Sequence, residues 1–324
     1  MMQIPILSLA PMEGITTYIF RNALQKYYGG VDEYFSPFIS AHKNKNLSNK
    51  ELRDILPENN ATLTLIPQIL CGNAEDFLNT ASQIAMLGYQ HINLNFGCPS
   101  GTVTSKGKGS GILQDPHAME QILDKIFSST NLSISIKTRL GFDFYEEWED
   151  LLAVYKKFPL KELIIHARVR EDYYKGTAKY IYVKETLDGA QDLFPITYNG
   201  DIFSAGDAFH FIEELPGIHG LMMGRGFITN PALAKEIRNH SSSADASTFC
   251  HSLETFKAFH HEIVENYMAF LKDDRNTLFK IKELWPYMAT LFPDSQKLLK
   301  QIVKCGTVRE YLGILNSLPP FQNQ

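Results

Sequence analysis

The chain has 324 residues, of which 44% are hydrophobic and 21% charged, and a formal net charge of −5. That composition belongs to a globular fold and excludes collagen-like, coiled-coil and globally disordered architectures, while the length exceeds one ordinary domain. No run of about 18 apolar residues predicts a membrane span. The start, MMQIPILSLAPMEG, lacks the basic residues and long apolar run of a secretory signal. Cys71, Cys98, Cys250 and Cys305 lie far apart with no CxxC pair. This argues against a disulfide framework or a structural zinc site, so a metal-free protein of the reducing cytoplasm is expected. Residues 1–239 hold 22 Lys+Arg against 27 Asp+Glu, and residues 240–324 hold 9 of each. Neither part is a basic module, and a polyanion would have to be held by a local patch.

Taken in chain order, short apolar runs rich in β-branched residues recur at 6–12, 34–40, 63–70, 91–97, 133–139, 163–169, 195–201 and 220–226. Near-continuous apolar runs suit strands buried on both faces, as in a parallel sheet. Helical patterns lie between most of them. Residues 74–88 carry Phe77, Ala81, Ile84 and Ala85 on one face and end on Gly88. Residues 116–127 open with Pro116 behind Asp115, and residues 204–215 have Ser204 as a cap. Eight strand–helix units in the first 239 residues predict a (β/α)8 barrel; an open doubly wound sheet is disfavoured because no GxGxxG follows the first strand. The polar stretch 240–247 reads as a linker. Helical patterns at 249–272, 275–291, 295–304 and 306–316 predict a small bundle over 248–324.

In such barrels the chemistry lies at the C-terminal ends of the strands. The ends here carry Pro11, Met12 and Glu13; Gln68; Asn95 followed by Gly97-Cys98-Pro99; Lys137 and Arg139; His166; Asn199-Gly200-Asp201; and Gly224-Arg225-Gly226. Each alone has an ordinary structural reading, a lysine paired with a carboxylate or a satisfied core histidine. Their convergence on one mouth points to a ligand site. Amides, cations and an imidazole suit a flat heteroaromatic ring with a phosphate tail. The two glycines would let backbone N–H groups approach the phosphate, and a helix starting near Asn230 would add its dipole.

LAPMEG (9–14), NFGCPSGTV (95–103), SIKTRLG (135–141), NGDI (199–202) and MMGRG (222–226) together resemble the dihydrouridine synthase family, flavoenzymes that reduce uridine in RNA. The resemblance covers residues 1–239, whereas the tail matches the family's RNA-binding bundle only in position and length. It implies a barrel that uses FMN and NADPH and acts as a monomer on RNA, most of all tRNA. Its FMN contacts would fall on Pro11, Met12, Glu13, Gln68, Lys137, His166, Asn199, Gly200, Asp201, Gly224 and Arg225, and its catalytic cysteine on Cys98. The chemistry agrees, since reducing the uracil C5=C6 bond needs a proton at C5 and a thiol of ordinary pKa is a competent acid. Cys71 reads as a buried structural cysteine. Lys106 and Lys108, in the glycine-rich loop 101–111, are expected to form a mobile lid over the RNA. Asn95, Arg139 and Arg168 are placed on the substrate side, the arginines as a basic rim. Val169 stands where family members commonly carry threonine. Two rivals remain: a flavin barrel enzyme for a small pyrimidine, or the same chemistry on ribosomal RNA. A binding protein without turnover is disfavoured by the joint presence of Cys98, Lys137 and His166.

Overall fold

A computed structural model describes residues 3–43, 45–240 and 252–322. Ten strands form its sheet: β1 Ile6–Leu9, β2 Glu33–Phe35, β3 Ile39–Ser40, β4 Leu65–Ile66, β5 Gln68–Leu70, β6 His91–Phe96, β7 Ser133–Gly141, β8 Glu162–Val169, β9 Ile196–Asn199 and β10 Gly220–Met223. Every pairing is parallel. The second and third apolar runs are each split in two, around Pro37 and Pro67, which have no N–H to give to a ladder. Because β2 pairs with β4 and β3 with β5, the two broken runs still lie side by side. The order β3-β5-β6-β7-β8-β9-β10-β1-β2-β4 therefore closes on itself as an eight-position (β/α)8 barrel.

The helices begin where the sequence supplies caps. Asn73 accepts from the Asp76 N–H ahead of Ala74–Ala85, and Gly88 takes up φ +98° just after it. Asp115 accepts from the Ala118 N–H with Pro116 in the first turn of Pro116–Ser129. Ser204 and Asp207 form a reciprocal capping box on Ala205–Glu214. Residues 241–251 lie outside the described residues, so all of the expected linker except His240, the last residue of the helix Leu233–His240, does too.

The tail contains Leu253–Leu271, Asp274–Lys282, Trp285–Met288, Ser295–Lys304 and Val308–Asn316. The pattern read as one helix over 275–291 breaks before Trp285, where Pro286 opens a new turn. Leu253–Leu271 packs on the barrel's first helix, Tyr18–Tyr27. Phe259 meets Phe20 and Tyr28 edge-on at 5.8 and 5.5 Å, and Glu262 accepts from Lys26 and Tyr27 at 2.5 and 3.1 Å. Barrel and tail share one continuous apolar core. No described helix is long and apolar enough to cross a membrane.

Candidate active site

At the C-terminal mouth a cleft is lined by Pro11 and Met12 after β1, Lys137 on β7, His166 on β8, Asn199 and Gly200 at the end of β9, and Gly224 and Arg225 after β10. Eight of the eleven residues expected to hold a cofactor thus meet in one place. Close approach explains one glycine directly: a Cβ on Gly200 would fall 2.1 Å from the Tyr198 hydroxyl. Asn199 donates from Nδ2 to the Met222 carbonyl at 2.8 Å, which leaves its amide oxygen for the cleft.

The electrostatics of this mouth are one-sided. Lys137 has no hydrogen-bond or ion-pair partner among the described residues. Burial pushes its ammonium down to about 7, and Arg139 pushes the same way. Neither ring nitrogen of His166 has a hydrogen-bond partner among the described residues. Burial holds this imidazole well below its ordinary range, with Arg139, Lys137, Arg168 and Arg225 adding to the effect, so it is neutral at pH 7. Arg225 is held by Asp201 at 2.7 Å and lies over the rings of Tyr174 and Phe203 at 5.0 and 5.4 Å. A site with surplus cations and a neutral imidazole, open to a cleft, is stabilised by an anionic ligand.

Cys98 lies in the turn after β6, near enough to Lys137 and Arg139 for their charges to act on its thiol. Asn95 Oδ1 accepts from the N–H groups of Gly97 and Cys98 at 3.1 and 2.9 Å, and Ser110 Oγ donates to the Cys98 carbonyl at 2.9 Å. The thiol is half-buried. Burial raises its pKa, opposed by a backbone hydrogen bond from Ser100 and by Arg139 and Lys137, so at neutral pH it keeps its proton. Cys71 is fully buried with its thiol pushed up to about 12, the behaviour of a structural cysteine.

Several expectations need correction. Arg139 and Arg168 form no exposed rim, for both are 1% exposed. Arg139 donates to the carbonyls of Gly97, Val169 and Tyr173, each at 2.9 Å, and so fastens the cysteine turn to two neighbouring loops. Arg168 donates to the Lys175 and Gly176 carbonyls and to Asp201. Asp201 is consumed by Arg168 and Arg225, so it aims Arg225 and offers no free carboxylate to a ligand. Glu13 does not line this cleft; it pairs with Lys50 at 3.3 Å and lines a second cavity of about 450 Å³ between barrel and tail, with Tyr18, Arg53, Phe270 and Lys280. Gln68 is fully buried with both ends of its amide engaged, by Asn93 and Asn95. Gly226 lines the cleft as expected, and a Cβ there would also lie 2.1 Å from the Ile202 carbonyl. The helix after β10 is Arg225–Thr229, starting five residues before the expected Asn230, which instead caps the next segment through the Ala232 N–H.

Loop 101–111 is not an open lid either. It contains a short helix, Gly101–Thr104, and leads into the buried 3-10 turn Gly109–Gln114. Lys108 is tied to the Ala41 carbonyl at 3.1 Å, while Lys106 is exposed. From the tyrosine-rich loop 170–180, whose aromatics the sequence offers either for stacking on bases or for packing on the barrel, Tyr174 lines the cleft, its ring 6.0 Å from the His166 ring and 5.6 Å from the Arg139 guanidinium.

The donor set fits a planar ring carrying a phosphate. Apolar Pro11 and Met12 face a ring, Asn199 offers an amide edge, Lys137 and Arg225 offer charge, and Gly200 leaves the close approach open. A family model for dihydrouridine synthase (Dus) matches residues 8–316. The chain belongs to the dihydrouridine synthase family. It is 31% identical over 243 residues to a probable tRNA-dihydrouridine synthase of Staphylococcus aureus (strain COL), covering 74% of this chain and 73% of that protein. It is 30% identical to probable tRNA-dihydrouridine synthase 2 of Bacillus subtilis (strain 168) over 243 residues, 74% of each chain. A dihydrouridine synthase is an enzyme, and at this mouth Lys137 is buried with no ion-pair partner among the described residues.

Proposed function

We propose that this dihydrouridine synthase binds FMN at the barrel mouth and reduces uridine to 5,6-dihydrouridine in tRNA with NADPH as reductant. The reading is carried by the meeting in one cleft of Arg225 with Lys137 and His166, both without a hydrogen-bond partner among the described residues, next to a protonated Cys98 in the turn after β6. FMN, once reduced by NADPH, would supply the hydride for uracil C6. The remaining work falls to the chain. Arg225, aimed by Asp201, would hold the FMN phosphate through charge-assisted hydrogen bonds. Lys137 would regain its proton beside an anionic ring and stabilise it there. Asn199 and neutral His166 would hydrogen-bond ring edges. Cys98 would donate the Sγ proton to uracil C5 from the face opposite the ring, since charge builds toward C5 as C6 is reduced. The uridine must leave its stack to reach the mouth, because a base between neighbours cannot lie on another ring.

The test is direct. Purified protein should be yellow, release free FMN on denaturation, and convert uridine in unmodified tRNA to dihydrouridine with NADPH. A protein that neither carries nor takes up FMN contradicts the reading, and so does one that reduces free uracil but not tRNA.

A further inference from the structure

The barrel interior on one side is polar where most barrels pack branched aliphatics. His91, Asn93 and Asn95 alternate along β6 and so share its inner face, opposite Gln68 on β5 and Ser135 on β7. Asn93, Gln68 and Ser135 are fully buried. Together they form an unbroken ladder. Asn95 Nδ2 donates to Gln68 Oε1 at 2.7 Å, Gln68 Nε2 to Asn93 Oδ1 at 2.7 Å, and Asn93 Nδ2 to Ser135 Oγ at 2.8 Å; Ser135 Oγ and His91 Nε2 are 2.8 Å apart.

The direction of this ladder is fixed at the mouth. There Asn95 faces two backbone N–H groups, Gly97 and Cys98, and must present its oxygen to them. Each amide below is then set in turn, because an Asn or Gln has one donor end and one acceptor end. At the base Ser135 Oγ accepts from Asn93 and shares a hydrogen bond with His91 Nε2, and burial keeps that imidazole neutral by pushing it down to about 4. A buried polar chain is costly when partly satisfied and rigid when complete, and every link in this one is made.

We propose that Asn93 is a positioning residue that, through Gln68, locks the Asn95 amide in the orientation that caps the Gly97–Cys98 turn and presents the thiol at the mouth. This rests on the reading of Cys98 as the proton donor. Without Asn93, Gln68 loses its lower acceptor and rotates, and Asn95 is free to turn its NH2 toward two N–H donors, which opens the turn.

The experiment uses the full chain with Asn93→Leu and Asn93→Asp at saturating FMN. Asn93→Leu should slow single-turnover uridine reduction by about 10–100-fold, the scale of a misplaced reacting group. KM for tRNA and flavin reduction by NADPH should stay within about threefold. Alkylation of Cys98 by iodoacetamide, followed by peptide mass spectrometry, should rise at least about fivefold as the turn loosens. Asn93→Asp, whose carboxyl still accepts from Gln68 Nε2 in either protonation state, should keep uridine reduction and Cys98 alkylation within about threefold of the wild type. If Asn93→Leu does not fold, Ser135→Ala carries the same readouts. The proposal is overturned by an unchanged alkylation rate in Asn93→Leu, by equal slowing of flavin and uridine reduction, or by an Asn93→Asp variant as slow as Asn93→Leu. Should wild-type protein reduce no uridine in tRNA, the functional reading falls, and the alkylation arm still decides the ladder.

Discussion

Two buried histidines show how differently the two parts of the molecule use the same side chain. His260, in the tail, is fully buried, with Nδ1 2.8 Å from the Tyr311 hydroxyl and Nε2 3.1 Å from Met288 Sδ, and it stacks on Trp285 at 5.2 Å. Burial pushes it down to about 3, and both nitrogens are spent. His166, at the barrel mouth, is nearly as buried and equally neutral, yet its nitrogens face the cleft and its neighbours are cations. A depressed pKa therefore does not mark a functional histidine. Unspent hydrogen-bonding capacity next to surplus charge does.

The largest effect that would sharpen this contrast belongs to the mouth. Cys98→Ala should leave FMN binding and flavin reduction by NADPH intact while slowing uridine reduction by roughly 10²–10⁴-fold, the range for a lost general acid. Stopped-flow measurement of the two half-reactions checks it, and equal slowing of both would make Cys98 a structural residue. In the tail the effect should be on folding alone. His260→Ala leaves a cavity and an unpaired Tyr311 hydroxyl, costing about 2–4 kcal/mol. Thermal unfolding should show it, with FMN affinity unchanged. His166→Ala should do the reverse, leaving the midpoint nearly unmoved while FMN binds more weakly.

Arg225→Ala should weaken FMN about 10–100-fold, the worth of one charge-assisted contact to phosphate. Fluorescence titration of the apoprotein measures this, and an unchanged affinity would move the phosphate elsewhere. The smallest effect is on pH. Lys137 is pushed down to about 7 in the unliganded protein from an ordinary 10.5. An anionic ligand would raise it again, so binding takes up a proton above pH 7. FMN affinity should be level below pH 7 and fall as pH climbs beyond it. In the unliganded protein the unfolded chain binds the extra proton between 7 and 10.5, so this group makes stability rise with pH across that window. Lys137→Met should flatten both dependences.

Much of the barrel could be read from the sequence because its signals are local. Eight apolar runs, the Asn73, Asp115 and Ser204 caps and Gly88 each declare themselves within a few residues. The strand-end residues followed once the barrel was assumed, which is why eight of eleven meet in the cleft. The failures have a common cause in long-range geometry. Arg139 and Arg168 look like rim cations in sequence, but their partners are carbonyls of loops brought alongside by the barrel, Gly97, Tyr173 and Gly176 among them. Glu13 follows Met12 directly, but its carboxylate pairs with Lys50, far along the chain, and lines the other cavity. The ladder leaves a period-2 polar signal inside apolar strands, His91, Asn93, Asn95 and Ser133, Ser135, Lys137, but which of these side chains meet is set by the register between strands. The tail was expected to be a separate unit, yet Phe259 buries the first barrel helix, so a chain ending near 240 would expose Phe20 and Tyr28.

The central claim is that the unpaired charge at the mouth serves uridine reduction in tRNA. Nucleoside mass spectrometry tests it most directly, on tRNA from cells lacking this protein, supplied again with either the wild type or Cys98→Ala. The account predicts that one dihydrouridine disappears from tRNA on loss, returns with the wild type and stays absent with the variant. An unchanged dihydrouridine content in tRNA, or full restoration by Cys98→Ala, would contradict it.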